Sequence, residues 1–516
     1  MNWRRILTAS MLALAVSVSS CAAARSASPA TASAQSSAST RSTAASPSGS
    51  AAIATAPAPR ASLAATVVPV RKLTTSAGAT TEAKIESIRH SLDGTHVPDF
   101  SAGAFKGMNV IVIQVESLNN MILNKKYNGK EITPNLNGFI KQSYYWPNGY
   151  SESGMGNTAD AEFVVNSSLY SPYDQACSVK YANRLIPAMP RLMADQGYFT
   201  FTIHPNKVSY WNRAQLYKTL GFTKYYDRSF FKGYPSLGQF GASDQALFKR
   251  TMVVLDGLNK KKTPFYGQVI TLSSHPPFTW LPESMRPLRT PGALSGSLIG
   301  RYISAESYAD QQLGGFFKSL KSTGLWDNSI IVIYGDHTAM DSNTLSGKNA
   351  TGTRNLLGRN YGPIDRERVG IMIHVPGQTK EVRSDDVAGQ VDIMPSLADC
   401  VGLDLSAVPH MGRSLFMNSD PLVPETAYYR AGTFLNYRAL FMPKSGSSKA
   451  AGYRIPDGAG TGMGASDVTD LNRANQLRKI SDSWVMSFKQ VKYSYKGWIP
   501  DPIARRAAKK YGFLQH

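Results

Sequence analysis

Residues 329–337 read SIIVIYGDH. Ile, Ile, Val and Ile follow one another without a polar break, and the run ends abruptly in Gly, Asp and His. A strand with one wet face alternates apolar and polar residues. A continuous branched run is buried on both faces, as strands of a mostly parallel sheet are. The same texture recurs in NVIVIQVE (109–116), YFTFTIH (198–204), FYGQVITLSSH (265–275) and VGIMIHVPG (369–377). Helix-like segments lie between them: PAMPRLMADQG (187–197), SDQALFKRTMVVLDGL (243–258) and SAESYADQQLGGFFKSLKSTG (304–324), each finishing in or near a glycine, as helix C-termini often do. Strand and helix in alternation predict an α/β sandwich around a mostly parallel central sheet.

The strand ends carry the chemistry. One finishes in Glu116, one in His204, one in His275 and one in Asp336-His337. Ligands of open α/β sheets bind beyond the carboxyl ends of the strands, so these groups are expected to share a site. A Glu from one strand and an Asp-His pair from another give a donor set of oxygens and one imidazole. That set suits Zn²⁺, Mn²⁺ or Mg²⁺ in a catalytic role, with a position left open.

A further residue fits that open position. In SGMGNTADAEF (153–163) a glycine-rich turn leads into an apolar helix, with Thr158 at its mouth. Unpaired amides at a helix start favour an anion, and a hydroxyl beside a metal becomes a nucleophile. Threonine in this place also serves as an ordinary helix cap, and only the company of Glu116, Asp336 and His337 favours the catalytic reading. The segment HPNKVSYWNRAQLY (204–217) adds Arg213, whose planar fork suits a phosphate, and Trp211, whose face suits a glycerol or sugar.

Length and charge set the outer bounds. The chain has 516 residues, 56 Lys+Arg against 35 Asp+Glu and a net charge of +21, which draws it to anionic surfaces. No zinc-finger spacing or basic-aromatic array points to nucleic acid. The N-terminus MNWRRILTASMLALAVSVSSC has basic residues, a short apolar stretch and a lipobox-like VSSC ending at Cys21, the expected lipidated residue. Cleavage after Ala24 is the alternative, and both place the protein outside the cytoplasm. The expected organisation is a signal segment over 1–21 and an Ala/Ser/Pro-rich tether over 22–83. A catalytic domain over 84–425 and a small C-terminal α+β subdomain over 426–516 complete it. Tethers of this composition do not fold and reach on the order of 40 Å. Within the last part, GSSKAAGYRIPDGAGTGMG (446–464) reads as a glycine-rich linker. Cys177 and Cys400 are expected to remain unbridged.

Together NVIVIQVESLNN, ITPNLNGF, GNTADAEFVVNSSLY, HPNKVSYWNRAQLYKTLGF, ITLSSHPPF, YADQQLGGF and IIVIYGDH occur in the order seen in lipoteichoic acid synthases. The resemblance, over about residues 108–420, is to phosphoglycerol transferases of the alkaline phosphatase and sulfatase superfamily. It implies the corresponding sandwich fold, a threonine nucleophile at Thr158 and one divalent metal, usually Mn²⁺, held by Glu116, Thr158, Asp336 and His337. It implies phosphoglycerol contacts from His204, Trp211, Arg213 and His275. The implied partners are phosphatidylglycerol or a teichoic acid polymer, and a membrane surface reached through the lipid anchor. Three positions depart from the family pattern: Asn157 replaces a basic residue, Asn206 replaces an acidic one, and GDHTAM lacks the usual aromatic-Gly after the His. The N-terminal membrane helices of such synthases have no counterpart in the sequence. No Cys/Ser-x-Pro-x-Arg motif surrounds Thr158, which disfavours sulfate ester hydrolysis. The expected activity is phosphoglycerol transfer through a covalent threonine intermediate. The alternatives are hydrolysis of phosphoglycerol lipids or polymers, and a silent teichoic-acid-binding module.

Overall fold

The computed structural model describes residues 98–491, apart from 291, 343–344, 419–420, 426–428, 444–449 and 456, together with 68–69 and 95–96. The signal segment, Cys21 and nearly all of the tether lie outside the described residues, as does the chain beyond 491. No helix among the described residues is long and apolar enough to cross a membrane.

The principal strands are β1 (Asn109–Val115), β2 (Tyr144–Trp146), β3 (Phe199–Ile203), β4 (Lys224–Tyr226), β5 (Phe265–Ile270), β6 (Ser329–Gly335), β7 (Ile371–His374) and β8 (Val382–Arg383). They form one eight-stranded sheet in the order β8-β2-β7-β6-β1-β5-β3-β4. Seven strands run parallel. The exception is β7, which pairs antiparallel with β6 on one side and β2 on the other. Its apolar run resembles the others because burial on both faces, not strand direction, sets that composition.

The continuous runs divide cleanly between two cores. Val110, Val112, Ile330, Val332 and Tyr334 face one layer. Ile111, Ile113, Val115, Ile331 and Ile333 face the other. Each such side chain, fully shielded, contributes about 1.5–3 kcal/mol of hydrophobic stabilisation. The first layer contains α1 (Thr158–Ser167), α2 (Met189–Asp195), α3 (Arg213–Leu220) and, from later in the chain, α6 (Ile393–Val401). The second contains α4 (Asp244–Lys260) and α5 (Leu298–Ser322). Serines cap both of these helices: Ser243 Oγ accepts from Ala246 N and Ser297 Oγ from Gly300 N.

The C-terminal part builds a five-stranded antiparallel sheet from β9 (Leu422–Pro424), β10 (Phe434–Asn436), β11 (Ala439–Pro443), β12 (Ala450–Arg454) and β13 (Gly460–Thr461). The supposed linker 446–464 thus supplies two of its strands. Five residues of β12 pair with β11; this ladder holds a glycine-rich segment that local propensity alone leaves open. Helix α7 (Ala465–Ser487) packs on this sheet and sends Leu477, Trp484 and Val485 into the first core. Cys177 and Cys400 are buried free thiols.

Candidate metal and phosphoryl-transfer site

Four neighbouring strands, β6, β1, β5 and β3, lead into Asp336-His337, Glu116, His275 and His204 at one edge. The register sets Gly335 opposite Val115, so Asp336 and Glu116 leave the sheet side by side. Gly335 permits this approach, because a Cβ there would lie 2.0 Å from the Leu118 carbonyl oxygen. The chain turns sharply at Ser117 (φ 59). That turn directs Ser117 N onto Asp336 Oδ1 at 2.7 Å, and His337 N donates to the same oxygen at 2.8 Å. The Asp336 carbonyl accepts from Ser151 Oγ, Ser153 Oγ and Gln390 Nε2 at 2.9, 2.7 and 2.8 Å. Glu116 is fixed by its own amide on Thr271 Oγ1 (2.8 Å) and by Ser274 Oγ on its carbonyl (2.6 Å).

Glu116, Asp336 and His337 place ligand atoms within 4.8 Å of one another, all buried. His337 Nε2 lies 3.3 Å from Glu116 Oε1 and 3.5 Å from Asp336 Oδ2. Thr158 Oγ1 donates to Glu116 Oε2 at 3.3 Å. The four residues expected to meet do meet. Asp336 Oδ2 is buried and accepts no hydrogen bond, an arrangement that is costly unless a cation completes it. These donors therefore fit a divalent metal.

The electrostatics agree. Burial pushes the Glu116 carboxyl up, but the charges of His275 and His337 outweigh it and hold the group below its usual range. Burial and then the Glu116 charge push Asp336 up. Burial disfavours a charged His337, yet Asp336 and Glu116 raise it to about 10. A proton on His337 thus does, in part, what a metal cation does there.

Thr158 is the first residue of α1, not its cap. The cap position belongs to Asn157, held at φ 45 and ψ −114, a sparsely populated conformation for a residue with a Cβ. Asp160 moulds this turn: Oδ2 accepts from Gly156 N at 2.9 Å and Oδ1 from Cys177 N at 2.7 Å. A Cβ on Gly156 would lie 2.2 Å from Asp160 Oδ1, so the two glycines before Thr158 make room for a buried carboxylate. The α1 backbone is tied to the sheet by Gln114 Nε2, which donates to the Thr158 carbonyl at 3.0 Å.

Of the remaining predicted residues, His204, His275 and Arg213 lie near enough to Glu116 to act on it electrostatically. The His204 ring shares a hydrogen bond between Nδ1 and the Ile270 carbonyl, at 3.0 Å. A carbonyl only accepts, so Nδ1 carries the proton and Nε2 keeps a lone pair. Burial, then the Arg213 charge, lower His204 to about 3, and the ring is neutral at physiological pH. His275 is half-buried, with Nδ1 on the Pro276 carbonyl at 2.7 Å and its ring stacked on Phe240 at 4.4 Å. Arg213 is 2% exposed, and its fork is already engaged: Nε and Nη2 both reach Glu162 Oε1, at 2.8 and 2.7 Å. Only Nη1 remains without a partner. Trp211 stands partly exposed, edge-on to Tyr210. Trp211 and Asn212 both have positive φ (56 and 50). Asn212 Nδ2 anchors this strained turn on the Ser178 carbonyl at 2.9 Å.

Sequence reading missed Glu162, Asp160 and Glu306. Every residue of α1 is buried, so no amphipathic stripe separates its carboxylates from its core positions. Glu306 lies on α5, 1% exposed, with neither carboxyl oxygen hydrogen-bonded. Burial, then the charges of Asp244, Glu116 and Asp336, raise it well above the usual carboxylate range. A glutamate within a helical run carries no local signal of such surroundings.

A mostly parallel sheet between helical layers, with a buried Glu-Asp-His cluster and a hydroxyl at a helix start, defines an alkaline phosphatase/sulfatase-like protein. The family model described as Sulfatase matches residues 108–403, and the chain belongs to that family. It is 35% identical over 343 residues to the lipoteichoic acid synthase of Staphylococcus saprophyticus, covering 64% of this chain and 51% of that protein. It is 35% identical over 347 residues to the Staphylococcus aureus lipoteichoic acid synthase, with the same coverages. The chain thus spans about half the length of these curated relatives. Among solved structures, the lipoteichoic acid synthase LtaP from Listeria monocytogenes superposes with a TM-score of 0.74 at 30% identity, over 80% of this chain and 99% of that one. An alkaline phosphatase superfamily protein from Vibrio parahaemolyticus shares the fold, with a TM-score of 0.60 at 20% identity over 77% and 91%.

Proposed function

We propose that the chain is an extracytoplasmic phosphoglycerol transferase that depends on one divalent metal, Mn²⁺ in the first instance, and uses Thr158 as nucleophile. The observation that carries this reading is the Thr158 hydroxyl, 3.3 Å from Glu116 Oε2, at the edge of a buried donor set whose Asp336 Oδ2 has no hydrogen bond. The similarity to lipoteichoic acid synthases supports the substrate class, a phosphoglycerol lipid or polymer.

Glu116, Asp336, His337 and Thr158 would hold the metal. When bound, it lowers the cost of deprotonating the hydroxyl and neutralises charge at phosphorus. The Thr158 oxygen, its proton passed to solvent, forms a bond to phosphorus of a donor such as phosphatidylglycerol. The bond from phosphorus to the diacylglycerol oxygen breaks, and that oxygen takes a proton. In this reading His275 supplies it. A glycerophospho-threonine remains. An acceptor hydroxyl oxygen then bonds to phosphorus as the phosphorus–Thr158 bond breaks; His275 takes the acceptor's proton, and the Thr158 oxygen regains one from solvent. Throughout, neutral His204 offers Nε2 as acceptor to a glycerol hydroxyl, and Arg213 Nη1 offers a donor to a phosphate oxygen. The α1 amides behind Thr158 favour the anion. The lipobox-like Cys21 and the basic chain support attachment to an anionic outer membrane face.

The test uses the purified chain with Mn²⁺ and labelled phosphatidylglycerol. Thr158→Ala is expected to abolish diacylglycerol release, and intact mass is expected to show a glycerophosphate adduct on the wild-type chain alone. Full release by the variant refutes the proposal.

A further inference from the structure

Thr158 is buried, and three short segments beside it pack on one another. A Cβ on Gly156 would lie 2.9 Å from Ala176 Cβ, so the turn before Thr158 rests on the start of the Cys177–Lys180 helix. Asn212 Nδ2, from the Trp211 turn, donates to the Ser178 carbonyl of the same helix at 2.9 Å. Each segment exposes one large apolar or aromatic side chain. Met155 is 49% exposed, Val179 56% and Tyr210 49%, with Trp211 partly exposed beside Tyr210. The short helix keeps Ser178 inside and Val179 outside. That is the reverse of what burial alone selects, and exposed apolar clusters mark interaction surfaces.

A basic flank adjoins the Trp211 turn. Lys207 is exposed between His204 and Trp211. The 227–234 segment is tied to this stretch: Val208 N donates to Asp227 Oδ2 at 3.2 Å and Arg228 N to the Asn206 carbonyl at 3.0 Å. It exposes Lys232 and Tyr234. Lys207, Arg228 and Lys232 thus face a single carboxylate, Asp227, which Val208 N and Ser229 already engage. On the other side Lys180 is bridged by Asp174 and Asp482, so the surplus positive charge belongs to the Lys207 flank.

We infer that this rim is a bilayer-docking surface. Met155, Val179 and Tyr210 enter the boundary between headgroups and acyl chains, and the Lys207 flank meets the phosphates of an anionic membrane. Apolar and aromatic side chains flanked by cations are what an interfacial anchor requires. A bilayer is the partner because a lipid phosphodiester stays in the headgroup layer, and a buried hydroxyl reaches it only where the mouth of the site touches the membrane. That last step rests on the transferase reading above; the surface rests on its exposed residues.

The test uses the full chain with Cys21→Ser, so that no lipid anchor contributes, in co-sedimentation with vesicles and without metal. The vesicles are phosphatidylcholine alone, or mixed equally with phosphatidylglycerol or with phosphatidylserine. Binding to both anionic mixtures is expected, with little to phosphatidylcholine alone. Val179→Glu and Tyr210→Ser are each expected to weaken it about tenfold, and Lys207→Glu/Lys232→Glu about as much at low salt. Val253→Glu, the same change at a valine 58% exposed on α4, is expected to leave binding unchanged. Circular dichroism checks that each variant is folded. With Mn²⁺, Val179→Glu is expected to release diacylglycerol from monomeric short-chain phosphatidylglycerol at the wild-type rate. Binding that is absent, indifferent to the rim variants, lost equally in Val253→Glu or confined to phosphatidylglycerol overturns the inference. So does a dimer that Val179→Glu dissolves in a chain that binds no vesicles. Rim-dependent vesicle binding by a chain that releases no diacylglycerol from the monomeric lipid sinks the transferase reading instead, and the docking surface survives.

Discussion

The buried Glu162–Arg213 pair permits a quantitative test of how α1 and α3 are held together behind Thr158. Glu162 is 0% exposed and Arg213 2%, with contacts of 2.8 and 2.7 Å converging on one carboxylate oxygen. Charge centres about 4 Å apart at an effective dielectric near 20 attract by about 4 kcal/mol. Glu162→Gln keeps the shape and removes that attraction, leaving a guanidinium buried without a counter-charge. The expected destabilisation is about 3–5 kcal/mol. Arg213→Met strands the carboxylate instead and is expected to cost a similar amount. The double variant Glu162→Gln/Arg213→Met buries no charge, so it is expected to recover at least half of the summed losses. Urea unfolding of the four proteins gives the coupling energy directly. Single variants that each cost less than about 1 kcal/mol, or a double variant equal to the sum of the singles, would refute the reasoning.

Three further outcomes are expected. Gly156→Ala brings a methyl to 2.2 Å from Asp160 Oδ1; it is expected to cost about 1–3 kcal/mol and to lower diacylglycerol release more than substrate binding, read as a fall in kcat at similar KM. His204, lowered to about 3 against an ordinary 6.5, binds its proton only in the unfolded chain across that window. Stability from this group is therefore present above pH 6.5 and lost as pH falls toward 3, at about 1.4 kcal/mol per pH unit; His204→Gln is expected to flatten the slope in pH-dependent urea midpoints. His337, raised to about 10, must surrender its proton to ligate a metal, so calorimetry of Mn²⁺ binding in buffers of different ionisation heat is expected to show proton release at about pH 7, and none would contradict the site.

The sheet was legible because its strands are buried twice over. Ile331 and Ile333 serve one core while Ile330 and Val332 serve the other, which leaves no polar residue in the run. The candidate metal donors were legible for the opposite reason: a polar residue that ends such a run stands out. Glu162 and Asp160 were not, since α1 is buried on all sides and its carboxylates answer to Arg213, Gly156 N and Cys177 N, partners distant in sequence or on the backbone. Strands β12 and β13 were hidden because glycine-rich segments gain their pairing from β11 and not from their own propensity. The Asn157 departure from the family pattern acquires a physical setting: φ 45 with ψ −114 lies outside the left-handed well, so the surrounding turn holds the residue there.

The charge arrangement bears on which ester the proposed site accepts. Glu162 cancels Arg213, so the arginine brings a hydrogen-bond donor, Nη1, and little net charge. His204 is neutral. On the proposed reading the two carboxylates of Glu116 and Asp336 balance one divalent cation. The substrate therefore meets a pocket near electrical neutrality, with directed donors in place of surplus positive charge. A monoester dianion demands two compensating charges in such low-dielectric surroundings, and the paired Arg213 and neutral His204 supply none. A phosphodiester carries a single charge, spread over two oxygens, which the α1 amides and Arg213 Nη1 are suited to meet. Preference for diester over monoester then follows from the pairing of Arg213. Loss of that pairing in Glu162→Gln is expected to shift inhibition toward glycerol phosphate and away from its methyl diester, measured as the ratio of their inhibition constants against diacylglycerol release.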